Sequence, residues 1–233
     1  MLARSCLLLL WPMAIWYSTP ALADDASVCG SNNLSLAADA RLAACTNLIT
    51  AGRYSGEGLA VLFNNRGVAY EAKGDLDHAI ADYSEAIRLN PNFAAAFFSR
   101  GVAYDAKGEH ERATADYSEA IRLKPNYADA FVSRGVAYEA EGDHERAIAD
   151  FSEAIRLNPK FATAFYNRGV AYYAKGEHER AIADYSEAIR LNPNYAKAFY
   201  NRGVAYKAKG DLDRATADFF RAKQLGSKDR PLQ

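Results

Sequence analysis

The tetrapeptide Gly-Val-Ala-Tyr begins at Gly67, Gly101, Gly135, Gly169 and Gly203, each 34 residues after the one before. Proline keeps the same step at Pro91, Pro125, Pro159 and Pro193. Self-similarity of this period, with no insertions, means that one small supersecondary unit is stacked on copies of itself, because a single unit cannot bury its own apolar face. Five units follow, at 60–93, 94–127, 128–161, 162–195 and 196–229. Within each, the apolar spacing is helical. In the second, Phe97, Gly101 and Tyr104 fall at i, i+4 and i+7, on one face of a first helix. Gly108 breaks that helix, and Glu109 and Glu111 place acid at the start of a second one, where the helix dipole favours it. Ala113, Tyr117, Ala120 and Ile121 then form an apolar stripe that ends before Pro125.

The units resemble the tetratricopeptide repeat (TPR), and the resemblance covers 60–229. That family carries a bulky residue at position 4, Gly at 8, an aromatic at 11, Ala at 20, an aromatic at 24, Ala at 27 and Pro at 32. The fourth unit reads Phe165, Gly169, Tyr172, Ala181, Tyr185, Ala188 and Pro193, and the one departure across all five units is Ser227 in place of the last proline. The resemblance implies an all-α fold: a right-handed α-solenoid of five consecutive helix-turn-helix units with an N-terminal capping helix. One position is unusual. Position 7, aliphatic in the family, is Arg66, Arg100, Arg134, Arg168 and Arg202, and position 23 is always Asp82, Asp116, Asp150, Asp184 or Asp218. Helix pairing is expected to bring each arginine to an aspartate of its own or the adjacent repeat, as partly buried structural ion pairs.

The ends depart from the repeat. Arg4, an apolar run from Cys6 to Tyr17 and Ala21-Leu22-Ala23 read as a signal peptide over 1–23, cut after Ala23, with an N-terminal membrane anchor as the alternative. Its removal leaves Cys29 and Cys45, which in an exported chain read as a disulfide rather than two free thiols. Closing a loop of about 15 residues is worth ~3 kcal/mol. Residues 38–51 look like a lone second helix with Cys45 at the aromatic position, and four extra residues fall in a loop at Ser55-Gly56-Glu57-Gly58. Residues 24–59 are therefore expected to form an N-terminal cap, and 230–233 a tail. Phe220 stands where the other units have serine; it either folds back at a frayed end or contacts a second copy. Asn33-Leu34-Ser35 matches a glycosylation triplet, which matters only in a eukaryotic secretory route.

No catalytic constellation is visible: no phosphate loop, His-Glu-x-x-His, nucleophile elbow or Cys-x-x-Cys. His110, His144 and His178 are equivalent positions on successive units, not a metal set. With 28 basic and 29 acidic residues the chain offers no field for nucleic acid. The expectation is a non-enzymatic module without cofactor or metal that binds a protein or peptide outside the cytoplasm, periplasmic or secreted, with no stable membrane insertion once the signal is removed.

In TPR proteins the first helices line an inner groove, and that resemblance places a polar ladder of Asn65, Ser99, Ser133, Asn167 and Asn201 in it. Phe98, Tyr166, Tyr173 and Tyr200 are either binding anchors or packing between first helices. Glu71, Asp105, Asp129 and Glu139 make the early groove acidic, while Lys197 and Lys207 make its end basic. Asn64 and Val68 replace the Lys and Asn with which chaperone-binding members clamp a C-terminal carboxylate. The alternative is a structural solenoid that assembles end to end through Phe219 and Phe220.

Overall fold

The computed structural model describes residues 20–30 and 38–226, which form helices and no strand. Two leading helices, α1 (Pro20–Cys29) and α2 (Ala38–Thr50), precede α3 (Gly56–Ala72) and α4 (Leu76–Leu89). Four further pairs follow: α5 (Ala94–Ala106) with α6 (His110–Leu123), α7 (Ala128–Ala140) with α8 (His144–Leu157), α9 (Ala162–Ala174) with α10 (His178–Leu191), and α11 (Ala196–Ala208) with α12 (Leu212–Gln224). Each helix packs on the next in chain order, so the chain is an α-solenoid of hairpins. Successive first helices also approach one another, from α3 to α11, whereas successive second helices among the described residues do not. The first helices therefore lie on the inside of the curve.

Each hairpin closes on one contact. A Cβ built on Gly135 would lie 2.6 Å from Cε1 of Phe151, so only glycine lets α7 and α8 come this close. Between them the chain turns at Gly142, whose φ of +79° is one that side chains rarely adopt. Asp143 N donates to Tyr138 O and Gly142 N to Glu139 O, satisfying carbonyls at the end of α7. The carboxylate of Asp143 then accepts from Arg146 N and caps α8. Asp75 and Asp211 do the same, but Glu109 and Glu177 do not cap: one methylene longer, they pair with Arg112 and Arg180 instead. The helix stops at Leu157 because Asn158, extended at φ −136°, precedes Pro159.

The arginine–aspartate pairs form within each hairpin. Nε and Nη2 of Arg134 donate to both oxygens of Asp150, at 2.7 and 2.8 Å, and Nη1 donates to Ser118 Oγ of the preceding hairpin at 2.9 Å. Arg100, Arg168 and Arg202 repeat this pattern on Ser84, Ser152 and Ser186. The Asp150 side chain is only 8% exposed and that of Arg134 18%, and hydrogen bonding to Asp150 holds the guanidinium above its already high ordinary pKa. One forked cation thus ties three helices together.

The N-terminal end corrects two expectations. Helix α2 is not alone: α1 packs against it and approaches α3, as a first helix would. Cys29 and Cys45 are 16 residues apart, the same separation as Gly135 and Phe151, and their sulfurs lie 2.11 Å apart. They occupy the glycine and aromatic positions of a divergent leading hairpin. The four extra residues lengthen α3 to 17 residues, against 13 in α5, and make no loop. At the other end Phe219 is half-buried on Tyr200, with ring centroids 5.4 Å apart, so only Phe220 of that pair is exposed, at 64%. The proposed signal peptide up to residue 19, the Asn33-Leu34-Ser35 triplet, Ser227 and the 230–233 tail lie outside the described residues.

Gly135→Ala must displace the Phe151 ring and is expected to cost about 1–3 kcal/mol. Arg134→Ala is expected to cost about 2–3 kcal/mol, between the values for exposed and fully buried pairs. Adding Asp150→Ala should recover part of that loss. Urea midpoints followed by circular dichroism check both, and an Arg134→Ala midpoint equal to wild type would refute the structural role.

Candidate functional site

The first helices carry their ladder residues along the inner face, and the surroundings of each differ. Phe98 leans on Tyr117 and Tyr127, with centroids 5.8 and 5.0 Å away. Tyr166 leans likewise on Tyr185 and Tyr195, at 5.9 and 4.9 Å. Tyr173 lies 5.1 Å from His178, and Tyr200 packs on Phe219. The rings are therefore half-buried pillars that mostly pack within their own hairpins, rather than side chains projecting into solvent. Asn201 is buried and donates from Nδ2 to the Tyr166 hydroxyl at 3.0 Å. Asn65, Ser99, Ser133 and Asn167 are half-buried, whereas Lys197 and Lys207 are exposed.

The structure gathers some of these residues and separates others. Tyr166, Asn167 and Asn201 meet Val136, Glu139, Phe151 and Val170 around a notch of about 220 Å³ between α7, α8, α9 and α11. Asn65, Phe98, Lys197 and Lys207 do not line it. Nothing in the sequence marks Val136, Phe151 or Val170 as site residues. The valines recur at one position in every unit, and periodicity makes such residues look like core. Val136 is nevertheless 44% exposed.

A polar relay between helices distinguishes the hairpin that lines the notch from those before it. In the first full hairpin Tyr83 donates to Glu71 Oε2 at 2.7 Å. In the second, Tyr117 donates to Asp105 Oδ2 at 3.2 Å, while Asp105 Oδ1 pairs with His110 Nδ1 at 2.7 Å. Burial first, and then the facing carboxylate, push both phenols well above the ordinary tyrosine pKa, so they remain donors at working pH. Because the unfolded chain ionises its tyrosines near pH 10, this contribution is complete below that pH and lost above it. In the third hairpin Glu139 keeps His144, at 3.0 Å, but faces Phe151, which has no hydroxyl. In the fourth, Tyr173 replaces the acid, so the Tyr185 hydroxyl has no carboxylate to donate to and faces the Asn201 amide, and His178 Nδ1 is buried without a hydrogen-bond partner among the described residues. The relay is complete early in the solenoid and broken from Phe151 onward.

No group of three or more His, Cys, Asp or Glu among the described residues is arranged to hold a metal ion. His110 and His144 each face one acid across a hairpin turn.

A tetratricopeptide-repeat profile matches 60–93, one TPR-repeat profile matches three times, at 104–142, 140–176 and 171–210, and a further tetratricopeptide-repeat profile matches 196–225. The crystal structure of MamA is 30% identical with a TM-score of 0.65, over 68% of this chain and 93% of that one. The chain belongs to the tetratricopeptide-repeat family. A second MamA structure is 27% identical, with a TM-score of 0.66, over 75% of this chain and 98% of that one. YrrB, described as a TPR protein with an unusual peptide-binding site, shares the fold at 22% identity and a TM-score of 0.64, over 78% of this chain and 92% of that one. No curated protein matches the chain. TPR hairpins are protein-interaction modules, and nothing in the fold or the comparisons shows an enzymatic activity.

The relay predicts a measurable asymmetry. Tyr83→Phe leaves Glu71 without its buried donor and is expected to lower stability by roughly 1.5–3 kcal/mol, the range for hydrogen bonds to charged groups. A thermal or urea midpoint indistinguishable from wild type would show that the Tyr83–Glu71 bond is not formed in solution.

Proposed function

We propose that this TPR protein is a non-catalytic scaffold that holds an extended peptide, or an extended segment of a partner protein, along its inner face. The observation that carries this reading is the notch beside Tyr166. Apolar walls supply desolvation, and the Asn167 and Asn201 amides stand at its edge, side chains that both donate to and accept from a peptide backbone. Its volume of about 220 Å³ is below the ~300 Å³ at which small-molecule sites begin, and suits one side chain of a longer ligand. The description of YrrB as peptide-binding supports the same mode of use.

The site of action we propose is outside the cytoplasm, after removal of residues 1–23. No helix among the described residues is long and apolar enough to cross a membrane. A cut after Ala23 falls inside α1 and would leave Asp24–Cys29 as its helical remainder, fewer than two turns. So short a helix does not hold itself in water. Its position then depends on a Cys29–Cys45 disulfide, for which the sulfurs are already at bonding distance. This cysteine pairing supports an oxidising compartment.

Phe220 favours a second reading, self-association. It occupies the position where Ser84, Ser118, Ser152 and Ser186 receive the arginine of the following hairpin, and it is 64% exposed. Sedimentation at two concentrations separates the readings, since a monomer at tens of micromolar removes this one.

Two measurements test the main proposal. Crosslinking capture with wild type and with a Tyr166→Ala, Asn167→Ala variant should give a partner that the variant loses while keeping its helicity. Equal capture by both proteins places binding elsewhere. Mass spectrometry of protein recovered from the expressing cell should show a chain starting at Asp24, two mass units lighter than its reduced form, and a mass that retains 1–23 would overturn the cleavage.

A further inference from the structure

The break in the polar relay at Phe151 has a chemical consequence for whatever enters the notch. In the first two full hairpins the inner-face acid spends an oxygen on a buried phenol, Tyr83 on Glu71 and Tyr117 on Asp105. Glu139 holds the equivalent place, and its side chain is only 19% exposed. Its Oε1 pairs with His144 Nδ1 at 3.0 Å, and its Oε2 receives no hydrogen bond from a described residue. Phe151 supplies a ring of nearly the same shape as tyrosine, so the hydroxyl is missing while the packing against Gly135 is kept. What remains is a mostly sequestered carboxylate with one oxygen unspent, at the end of walls formed by Val136, Phe151 and Val170.

We propose that this notch is a subsite for a basic side chain, lysine or arginine, of the peptide bound along the inner face. This rests on the peptide-scaffold reading and specifies what one position of the ligand must be. The aliphatic stem of such a side chain lies against the two valines and the ring, and its cationic head donates to Glu139 Oε2 in place of the absent phenol. Charge complementarity chooses this occupant. An acidic side chain would meet Glu139 with like charge. A purely apolar one would fill the walls and leave Oε2 desolvated without a donor, which costs affinity. Glu71 and Asp105, on the preceding first helices, extend the same negative field toward the N-terminus, so a basic segment is favoured on that side of the notch as well.

The test selects heptapeptides from a random phage-displayed library on the full chain, then measures synthetic peptides by isothermal titration. Selected peptides are expected to share one fixed lysine or arginine. Replacing it with norleucine, which keeps the stem and removes the charge, should weaken binding to wild type by roughly tenfold to a hundredfold, the range of a charge-assisted hydrogen bond. Glu139→Gln should bind the lysine and norleucine peptides within about threefold of each other. Phe151→Tyr, which installs the hydroxyl already present in the neighbouring hairpins, should fold at least as stably as wild type and lose the preference for lysine.

Selected peptides that lack a common basic residue, but lose binding to Tyr166→Ala, Asn167→Ala, overturn the subsite and leave the scaffold reading standing. A lysine preference that survives intact in both Glu139→Gln and Phe151→Tyr also overturns the subsite. A library that yields no peptide overturns both readings.

Discussion

Everything in this solenoid depends on how closely two helices approach where a glycine faces an aromatic ring. At Gly67, Gly101, Gly135, Gly169 and Gly203 there is no room for a Cβ, because the ring from the paired helix already fills that space. The contact fixes the distance and register within a hairpin, and stacking then follows from a face too apolar to leave in water. The same 16-residue register carries the Arg134–Asp150 bridge one residue earlier on each helix. In the leading pair it carries Cys29 and Cys45, where a sulfur–sulfur contact replaces packing. A divergent hairpin without the glycine or the ring thus keeps the geometry by other chemistry.

The arginine bridge shows how the repeat-to-repeat interface is specified. A guanidinium has donors enough for a bidentate carboxylate and one further acceptor, and Arg134 uses them on Asp150 of its own hairpin and Ser118 of the one before. Lysine could not make this three-way connection in one plane. The serine is as much a part of the interface as the ion pair, and Phe220 changes the character of the last described helix for the same reason.

Because the structural positions are nearly identical in every hairpin, individuality is confined to a few inner-face residues. The contrast between Phe151 and Tyr83 or Tyr117 is one hydroxyl, yet it decides whether the facing acid receives a phenol donor from within the protein. Small changes in such a relay cost little packing and alter what the surface offers to a ligand. A repeat scaffold can therefore acquire a selective face without any change of fold.

The sequence by itself determined the architecture. A 34-residue step and helical spacing inside each unit mark stacked helical hairpins as the way to bury the apolar stripe, and the Arg134–Asp150 pairing was legible as a recurrent opposite-charge pair. The tertiary structure alone decided which residues share a cavity on the inner face. Val136, Phe151, Tyr166 and Asn201 are up to 65 residues apart in the chain and belong to three hairpins, and no periodic pattern marks where three copies meet imperfectly. It likewise decided that α1 partners α2 and that the four extra residues extend α3, since a divergent hairpin lacks the spacing signal by which its neighbours are read. Periodicity reports what repeats must have in common, whereas a binding surface is built from what they do not, and only packing places those differences side by side.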